Sequence, residues 1–209
     1  MNTGHLAYIR DGSLMAVTYD VPRARVVGDE VVLHRGIHHY DVSGDGTLVY
    51  ASGEPRGDTL SLLRARVGEN AAPISIHRRD FRQVRLSPQG NELAVAIREP
   101  DDESQIWLMD LERDTLSRVT RDGSLNASPV WFHNQRKLVF LSKRDGPFDL
   151  YELDLDSGGE PRRLTNDDAL EVPFDISSDD TILLMARIAG DSPRQLFTLD
   201  LTGENATMS

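Results

Sequence analysis

The sequence has no cysteine among its 209 residues. This excludes a disulfide framework and a zinc site built from thiolates. No stretch approaches the roughly 18 consecutive apolar residues of a membrane-spanning helix. The first residues, MNTGHLAYIRDG, also lack an apolar core of signal-peptide length. We therefore expect no membrane insertion by this chain, and a cytoplasmic location for the chain as written.

Basic residues are few compared with acidic ones. Lys and Arg number 23 against 34 Asp and Glu, which gives a formal net charge of −11. Nucleic-acid binding requires clustered basic residues to neutralise phosphates, so we do not expect a nucleic-acid partner. The hydrophobic content of 39% is sufficient for a folded core. We interpret the acidity as a property that keeps the folded protein soluble.

One segment recurs about every 45 residues along the chain. It contains a polar turn followed by an apolar run, and aligning the residue that opens this run gives steps of 44, 45 and 45 residues. An aromatic column in the next predicted strand keeps nearly the same period. A fixed period of about 40–50 residues with several short strands is typical of β-propeller blades. The first column is Val49, Leu93, Leu138 and Leu183, and the second is Trp107, Tyr151 and Phe197.

Each repeat divides into four short strands. The first leads into a turn such as SPQG, the second is apolar, as in ELAVAI, the third alternates, as in IWLMDL, and the fourth is more polar, as in LSRVT. Short connections favour an antiparallel meander. We therefore predict an all-β fold: a β-propeller of four-stranded antiparallel blades, with about five blade segments in an incomplete or open ring.

The pattern predicts a single domain over residues 1–209. The first segment matches second, third and fourth strands without a first, and the last segment has no credible fourth strand. Open blade faces leave apolar surface in water, so we expect Met1–Arg35 and Val172–Ser209 to contact a second copy or another part of a longer protein. The predicted segments are a partial blade at 1–39, complete blades at 40–84, 85–129 and 130–173, and a partial blade at 174–209.

The motifs also resemble a known family. The pattern SPQG-NELA, IWLMDL and SRVT, followed by SPVWF, is similar to the TolB-type, WD-like propeller repeat, and the resemblance covers nearly the whole chain. More narrowly, TGHLAYIRDGSLMAVTYD and DVSGDGTLVYASG resemble the C-terminal propeller of bacterial membrane-anchored serine/threonine protein kinases. That resemblance implies a sensor or binding module, and an extracytoplasmic location if the chain is part of such a kinase. Kinase activity is not implied, because HRRD at His77–Asp80 lacks the downstream catalytic-loop residues.

Catalytic and metal-binding motifs are absent from the sequence. It contains no G-x-S-x-G, H-E-x-x-H or His-x-His pattern, so we predict no catalytic residues, no metal and no cofactor. A D-x-S-x-D-G segment begins at Asp41, but Ser52 occupies the position where a calcium loop needs a bidentate Glu. We interpret that segment as a tight turn. Asp110, Asp154 and Asp200 close the third strand of successive repeats, which indicates turn-capping carboxylates.

The predicted channel mouth holds the best candidates for a binding site. In a propeller the first strand of each blade is innermost, so stacking these strands shows which residues surround the opening. One column, which includes Tyr40 and Phe174, is apolar and is assigned to packing between blades; the others are chemically mixed. We hypothesise one polar ligand-binding pocket lined by His38, His39, Arg82, Gln83, Arg85, Asn126 and Asp175.

These features favour a non-catalytic binding or sensor module that recognises a protein or a small polar ligand at the channel mouth. The alternative is a propeller-type hydrolase or lyase, or the gating domain of a larger enzyme. A homo-oligomer or a missing upstream domain would cover the apolar faces of the two incomplete terminal blades.

Overall fold

The computed structural model describes residues 3–44, 46–53, 59–65, 70–74, 78–101, 103–166, 168–190, 193–203 and 207–208. Within these ranges the chain forms β-strands, turns and irregular segments, with no helix. No element in the described part has the length and apolarity of a membrane-spanning helix.

The strands form five separate antiparallel sheets, each built from consecutive strands. We number these sheets as blades 1 to 5 in chain order. Blade 1 contains β1 (Thr3–Arg10), β2 (Ser13–Asp20) and β3 (Arg25–Arg35). Blade 2 contains β4 (Ile37–Val42), β5 (Leu48–Ser52), β6 (Ser61–Ala65) and β7 (Ala72–Pro73). Blade 3 contains β8 (Asp80–Leu86), β9 (Glu92–Arg98), β10 (Ser104–Asp110) and β11 (Thr115–Arg118).

Blades 4 and 5 repeat the same four-stranded order. Blade 4 contains β12 (Asn126–Trp131), β13 (Lys137–Ser142), β14 (Asp149–Asp154) and β15 (Arg162–Arg163). Blade 5 contains β16 (Leu170–Ile176), β17 (Ile182–Ile188), β18 (Gln195–Asp200) and β19 (Thr207–Met208). The expectation that the last blade lacks a fourth strand is therefore wrong, because two residues of β19 pair with β18.

The first strands of blades 2 to 5 lie at the centre of the molecule. β4 contacts β8, β8 contacts β12, and β12 contacts β16, so these four strands surround a central channel. The architecture is a five-bladed β-propeller, which confirms the predicted fold class. The predicted blade boundaries at 40, 85, 130 and 174 all fall inside first strands, since these strands begin at 37, 80, 126 and 170. The sequence signal came from the turn after each first strand, not from the start of the strand.

The ladder pairing also corrects the repeat alignment. Val42 pairs with Leu48 in blade 2, whereas Leu86 pairs with Leu93 in blade 3, so the first turn is one residue shorter in blade 2. Leu48, not Val49, is therefore the structural equivalent of Leu93. With Leu48 in place, all three steps to Leu93, Leu138 and Leu183 are 45 residues.

The predicted turn-capping carboxylates are confirmed. Asp110 Oδ1 accepts the backbone N–H groups of Glu112 and Arg113, both at 2.9 Å. Asp154 accepts two backbone N–H groups in the same way, and Asp200 accepts the hydroxyl and the backbone N–H of Thr202. These hydrogen bonds to the ionised form lower the pKa of each carboxyl group. The recurrence of these aspartates is therefore explained by the turns that they close.

The hydrophobic core lies between the blades. One face of each sheet packs on the preceding blade and the other face on the following one, so four clusters join blade 1 to 2, 2 to 3, 3 to 4 and 4 to 5. In the described part of the chain, no comparable cluster joins blade 5 to blade 1. The centres of the four clusters include Tyr50 with Leu14, Val49 with Val95, Ile106 with Phe140, and Val139 with Met185.

The third strands provide a matched pair of leucines for a stability test. Leu150 in blade 4 and Leu196 in blade 5 occupy equivalent positions, each one residue before the aromatic column. Leu150 is 0% exposed and Leu196 is 67% exposed. Leu150→Ala should lower the free energy of unfolding by about 2–5 kcal/mol because it leaves a cavity. Leu196→Ala should change it by less than about 0.5 kcal/mol. Urea denaturation of both variants measures the difference, and equal losses would show that blade 5 is covered in solution.

Candidate functional site

Each first strand around the channel has an irregularity in its pairing with the second strand. The pairing of the first and second strands shifts between Ile37 and His39 in blade 2 and between Phe81 and Gln83 in blade 3. In blades 4 and 5 the shift lies nearer the end of the first strand, from Ala127 to Val130 and from Pro173 to Asp175. Bulges of this kind redirect side chains and are common beside binding sites. His38 and Arg82 are the bulged residues of the first two strands.

A cavity of about 510 Å³ lies where the first strands end. Asp41, Arg85, Val130 and Asp175 occupy the same position on the four strands, and all four line it. The structure thus brings together Arg85 and Asp175 of the predicted pocket. The other lining residues are Val42, Ser43, Gly44, Leu86, Ser87, Pro88, Trp131, His133 and Phe174.

Asp41 fixes the spacing between two blades at this mouth. Its Oδ2 accepts the backbone N–H of Leu86 in blade 3 at 2.7 Å, and its Oδ1 accepts the N–H of Val42 at 2.9 Å. Burial raises the pKa of the Asp41 carboxyl, and the two backbone hydrogen bonds and the charge of Arg85 oppose that rise. Asp41 is therefore committed to holding the first strands together.

Arg85 is the basic residue that lines the mouth cavity. Its backbone carbonyl accepts the indole N–H of Trp131 at 3.0 Å, which holds the strand in place. Among the described residues, the Arg85 guanidinium is part-buried and has no hydrogen-bond or ion-pair partner. A part-buried cation without a partner carries a desolvation cost that an anionic ligand would offset.

His39 lies deeper, next to cationic residues. Burial lowers its pKa to about 4, and the nearby charges of His38, Arg82 and Arg85 act in the same direction. The imidazole is therefore neutral near pH 7. Arg82 itself pairs with Asp80 at 2.9 Å, and the same carboxylate oxygen accepts Arg98 Nε at 2.7 Å.

The remaining predicted residues take different places. Gln83 Oε1 accepts the backbone N–H of Ser128 at 3.2 Å and so links blades 3 and 4. His38 Nε2 lies 3.4 Å from the carbonyl oxygen of Gly53, within its own blade. Both side chains are half-buried near the channel, and neither lines the mouth cavity.

Asn126 does not line the mouth cavity. It is 0% exposed, and its amide nitrogen donates to Gln105 Oε1 at 3.0 Å and to the Asp122 carbonyl at 2.9 Å. Its oxygen accepts the Ser142 hydroxyl at 2.8 Å. The residue anchors the start of β12 in a buried polar network. Stacking the strands by sequence could not distinguish this buried end from the open end of the channel.

Several residues of the mouth were not in the predicted pocket. Phe174 was assigned to packing, yet it lines the cavity and is half-buried. Trp131 occupies the position equivalent to Leu86, and its indole N–H makes the contact with Arg85. His133 Nε2 lies 2.9 Å from the Ile176 carbonyl oxygen, which joins blades 4 and 5. The position immediately after the column of Asp41, Arg85, Val130 and Asp175 could have pointed to Trp131.

The calcium-like segment serves the fold in the part that the structure describes. Asp41 uses its carboxylate for backbone hydrogen bonds, and Ser43 accepts the N–H of Thr47 at 3.0 Å. Asp45 lies outside the described residues. No group of three or more acidic or histidine side chains suited to a metal occurs among the described positions. The absence of a bound ion stays a prediction.

The environment of His39 predicts a measurable titration. A histidine whose pKa falls from its ordinary value of 6.5 to about 4 on folding stabilises the protein fully above pH 6.5. That stabilisation is lost as the pH falls from about 6.5 to about 4, because the unfolded chain binds the proton first. NMR of the imidazole should show a midpoint near 4, and His39→Gln should flatten the dependence of stability on pH in this window. A midpoint near 6.5 would contradict the described burial.

The Asn126 network predicts a structural effect without a binding effect. Asn126→Ala should lower the free energy of unfolding by about 1–3 kcal/mol, because Gln105 and Ser142 lose buried partners. Thermal denaturation measures this loss. Ligand affinity at the mouth, measured well below the melting temperature, should be unchanged. If Asn126→Ala lost ligand affinity while keeping normal stability, Asn126 would be part of the binding site.

Comparisons with known proteins match the geometry. The putative TolB from Agrobacterium tumefaciens is 17% identical with a TM-score of 0.77, covering 98% of this chain and 76% of that chain. TolB from Acinetobacter baumannii is 18% identical with a TM-score of 0.66, covering 98% of this chain and 56% of that one. An oligogalacturonate lyase in complex with manganese is 13% identical with a TM-score of 0.68, covering 99% and 61%. At these identities the likeness shows the fold.

The family model gives the more specific result. The model described as TolB beta propeller domain matches residues 45–208, which include every repeat from the first turn of blade 2 onwards. The repeat period, the four-stranded blades and this match agree over most of the sequence. The chain belongs to the TolB beta propeller domain family.

Proposed function

We propose that this domain is a non-catalytic binding module that recognises an acidic segment of a protein partner at the channel mouth. The observation that carries the proposal is Arg85, a part-buried arginine at the mouth without a protein partner among the described residues. Arginine binds carboxylates through paired N–H groups and is enriched where proteins recognise one another.

Charges of both signs lie near Arg85. Arg82 lies on the same strand and pairs with Asp80. Asp41 and Asp175 line the mouth cavity with Arg85, and each carboxylate accepts the backbone N–H of the following residue. The Arg85 guanidinium has no such contact among the described residues, so a carboxylate of a ligand is its expected partner.

Apolar groups beside Arg85 favour a protein segment over a small polar ligand. Val42 is 46% exposed at the rim, Pro88 is exposed, and Phe174 is half-buried in the cavity wall. An arginine next to exposed apolar and aromatic groups has the composition of a protein interface. The expected partner segment therefore combines acidic side chains with neighbouring apolar ones.

The relation to kinase C-terminal propellers stays a prediction, and with it an extracytoplasmic location. The fold is also shared by an oligogalacturonate lyase, so a test must separate binding from turnover. A capped hexapeptide with two glutamates among apolar residues is a suitable probe, and its glutamine counterpart is the neutral comparison.

Arg85→Ala should weaken binding of the glutamate hexapeptide, because a hydrogen bond between charged groups contributes about 1.5–3 kcal/mol, or roughly tenfold or more in affinity. Stability of the free protein should change by less than about 0.5 kcal/mol, since the guanidinium has no described partner. Isothermal titration calorimetry measures the affinity. Ligand-dependent thermal protection gives an independent measure.

Arg194→Ala is the control, because Arg194 is exposed to solvent, precedes β18 and does not line the mouth cavity. It should bind the probe like the unchanged protein. Equal affinity for the glutamate and glutamine peptides would contradict recognition through Arg85. Mass spectrometry of the recovered peptide should show no chemical change, and a cleaved peptide would favour the hydrolase alternative.

A further inference from the structure

We propose that a cavity between blades 2 and 3, at the opposite end of β8 from the mouth, binds a phosphate group. Its volume is about 370 Å³. Asp80 and Arg98, which pair where β8 begins and β9 ends, line this cavity, whereas Leu86 at the other end of β8 lines the mouth. We call it the arginine cavity, and its charged lining residues are Arg78, Arg79, Arg98, Asp80 and Glu99.

The backbone of Arg79 is fixed between the two blades. Its N–H donates to the Leu60 carbonyl at 3.3 Å, and its own carbonyl accepts the Leu60 N–H at 2.8 Å. The side chain extends over the indole ring of Trp107, with the guanidinium carbon 5.5 Å from the ring centroid. The guanidinium therefore lies on an aromatic surface in the wall of the cavity.

An arginine also lies over the aromatic residue of the third strand in blades 4 and 5. The guanidinium carbon of Arg144 is 4.9 Å from the ring centroid in blade 4, and that of Arg187 is 6.0 Å from it in blade 5. Arg144 Nε donates to the Ser142 hydroxyl at 3.2 Å, and Arg187 Nε lies 3.7 Å from a carboxylate oxygen of Glu171. In both blades a guanidinium over this ring has a hydroxyl or a carboxylate beside it.

Arg79 departs from this pattern. Its Nε is buried without a hydrogen-bond partner, and its guanidinium has no ion pair in the described part of the chain. Glu99 accepts the indole N–H of Trp107 at 3.2 Å, and Asp80 accepts Arg98 Nε at 2.7 Å. Both carboxylates that line the arginine cavity therefore have other partners, and neither pairs with Arg79. An anion from outside the chain would supply the missing partner.

Arg78 adds a second guanidinium to the same wall. It is exposed, its Nη2 donates to the Thr59 backbone carbonyl at 3.4 Å, and it forms no ion pair with a described residue. Two guanidinium groups without a carboxylate partner match a ligand with two negative charges. A phosphate monoester carries about −1.5 to −2 charge at pH 7 and has three strong acceptor oxygens, which arginine binds through paired N–H groups. The arrangement therefore favours phosphate over a single carboxylate.

Inorganic phosphate and a phosphorylated side chain offer the same chemical group, so the test uses both. The probes are inorganic phosphate and capped phosphoserine. Succinate is the comparison, because it also carries two negative charges but distributes them over two carboxylates.

The two tryptophans of the chain are separate reporters for the two sites. Trp107 lies against Arg79, whereas Trp131 lies at the mouth and donates to the Arg85 carbonyl. Each indole N–H gives one signal in a proton–nitrogen NMR spectrum, and Trp107→Phe assigns the two signals. Either phosphate probe should shift the Trp107 signal in a saturable manner and leave the Trp131 signal in place.

Arg79→Gln should weaken phosphate binding about tenfold or more, because it removes hydrogen bonds between charged groups. Arg78→Gln should also weaken it, and because Arg78 is exposed, that variant tests the site even if Arg79→Gln fails to fold. Arg113→Gln is the control. It removes one positive charge from an exposed arginine of blade 3 that pairs with Asp110 and does not line the arginine cavity. It should bind phosphate like the unchanged protein.

Three results would overturn the proposal: no saturable shift of the Trp107 signal with either phosphate probe, a shift that both Arg78→Gln and Arg79→Gln leave unchanged, or equal affinity for succinate. A response to capped phosphoserine supports a phosphorylated partner, and a response to inorganic phosphate alone supports the free anion. The outcome is independent of the Arg85 proposal, because the glutamate hexapeptide is expected at the mouth, where Trp131 reports.

Discussion

The structure depends on packing between successive blades. Each interior sheet has two apolar faces, so it is stable only with a blade on both sides. Buried clusters between successive blades provide this cover, for example Val49 with Val95 and Val139 with Met185. This packing brings β4, β8, β12 and β16 to the centre as a consequence. The channel mouth therefore exists because the sheets must cover one another, whatever the mouth binds.

Polar contacts between first strands then determine which side chains remain available. Asp41 accepts the N–H of Leu86, Trp131 donates to the carbonyl of Arg85, and Gln83 accepts the N–H of Ser128. Each contact uses a polar group to set the position of one blade against the next. After these contacts are made, the Arg85 guanidinium has no hydrogen-bond or ion-pair partner among the described residues. The strand fixes its backbone, so a ligand has to order the side chain alone.

The sequence predicts the blades well because a repeat period and short turns are local signals. The aspartate turns and the convergence of Arg85 with Asp175 follow directly from that period. The repeat could not predict that Asn126 is buried. Aligning the repeats shows which positions on the strands are equivalent, but it does not show how deep each position lies in the protein. It also misplaced Val49 by one residue, because the first turn of blade 2 is shorter than the others. Burial depends on contacts between blades, which no single repeat contains.

Repetition also gives the protein an internal standard. Leu150 shows how a covered blade face is packed, and Asp41 shows how a first-strand carboxylate is satisfied. Leu196 and Asp175 depart from these standards in blade 5, one on the apolar face and one at the channel. A defect of packing alone would leave the polar contact intact, and a local change at Asp175 would not expose Leu196. Both departures belong to the side of blade 5 that faces away from blade 4, where no buried cluster joins it to another blade among the described residues.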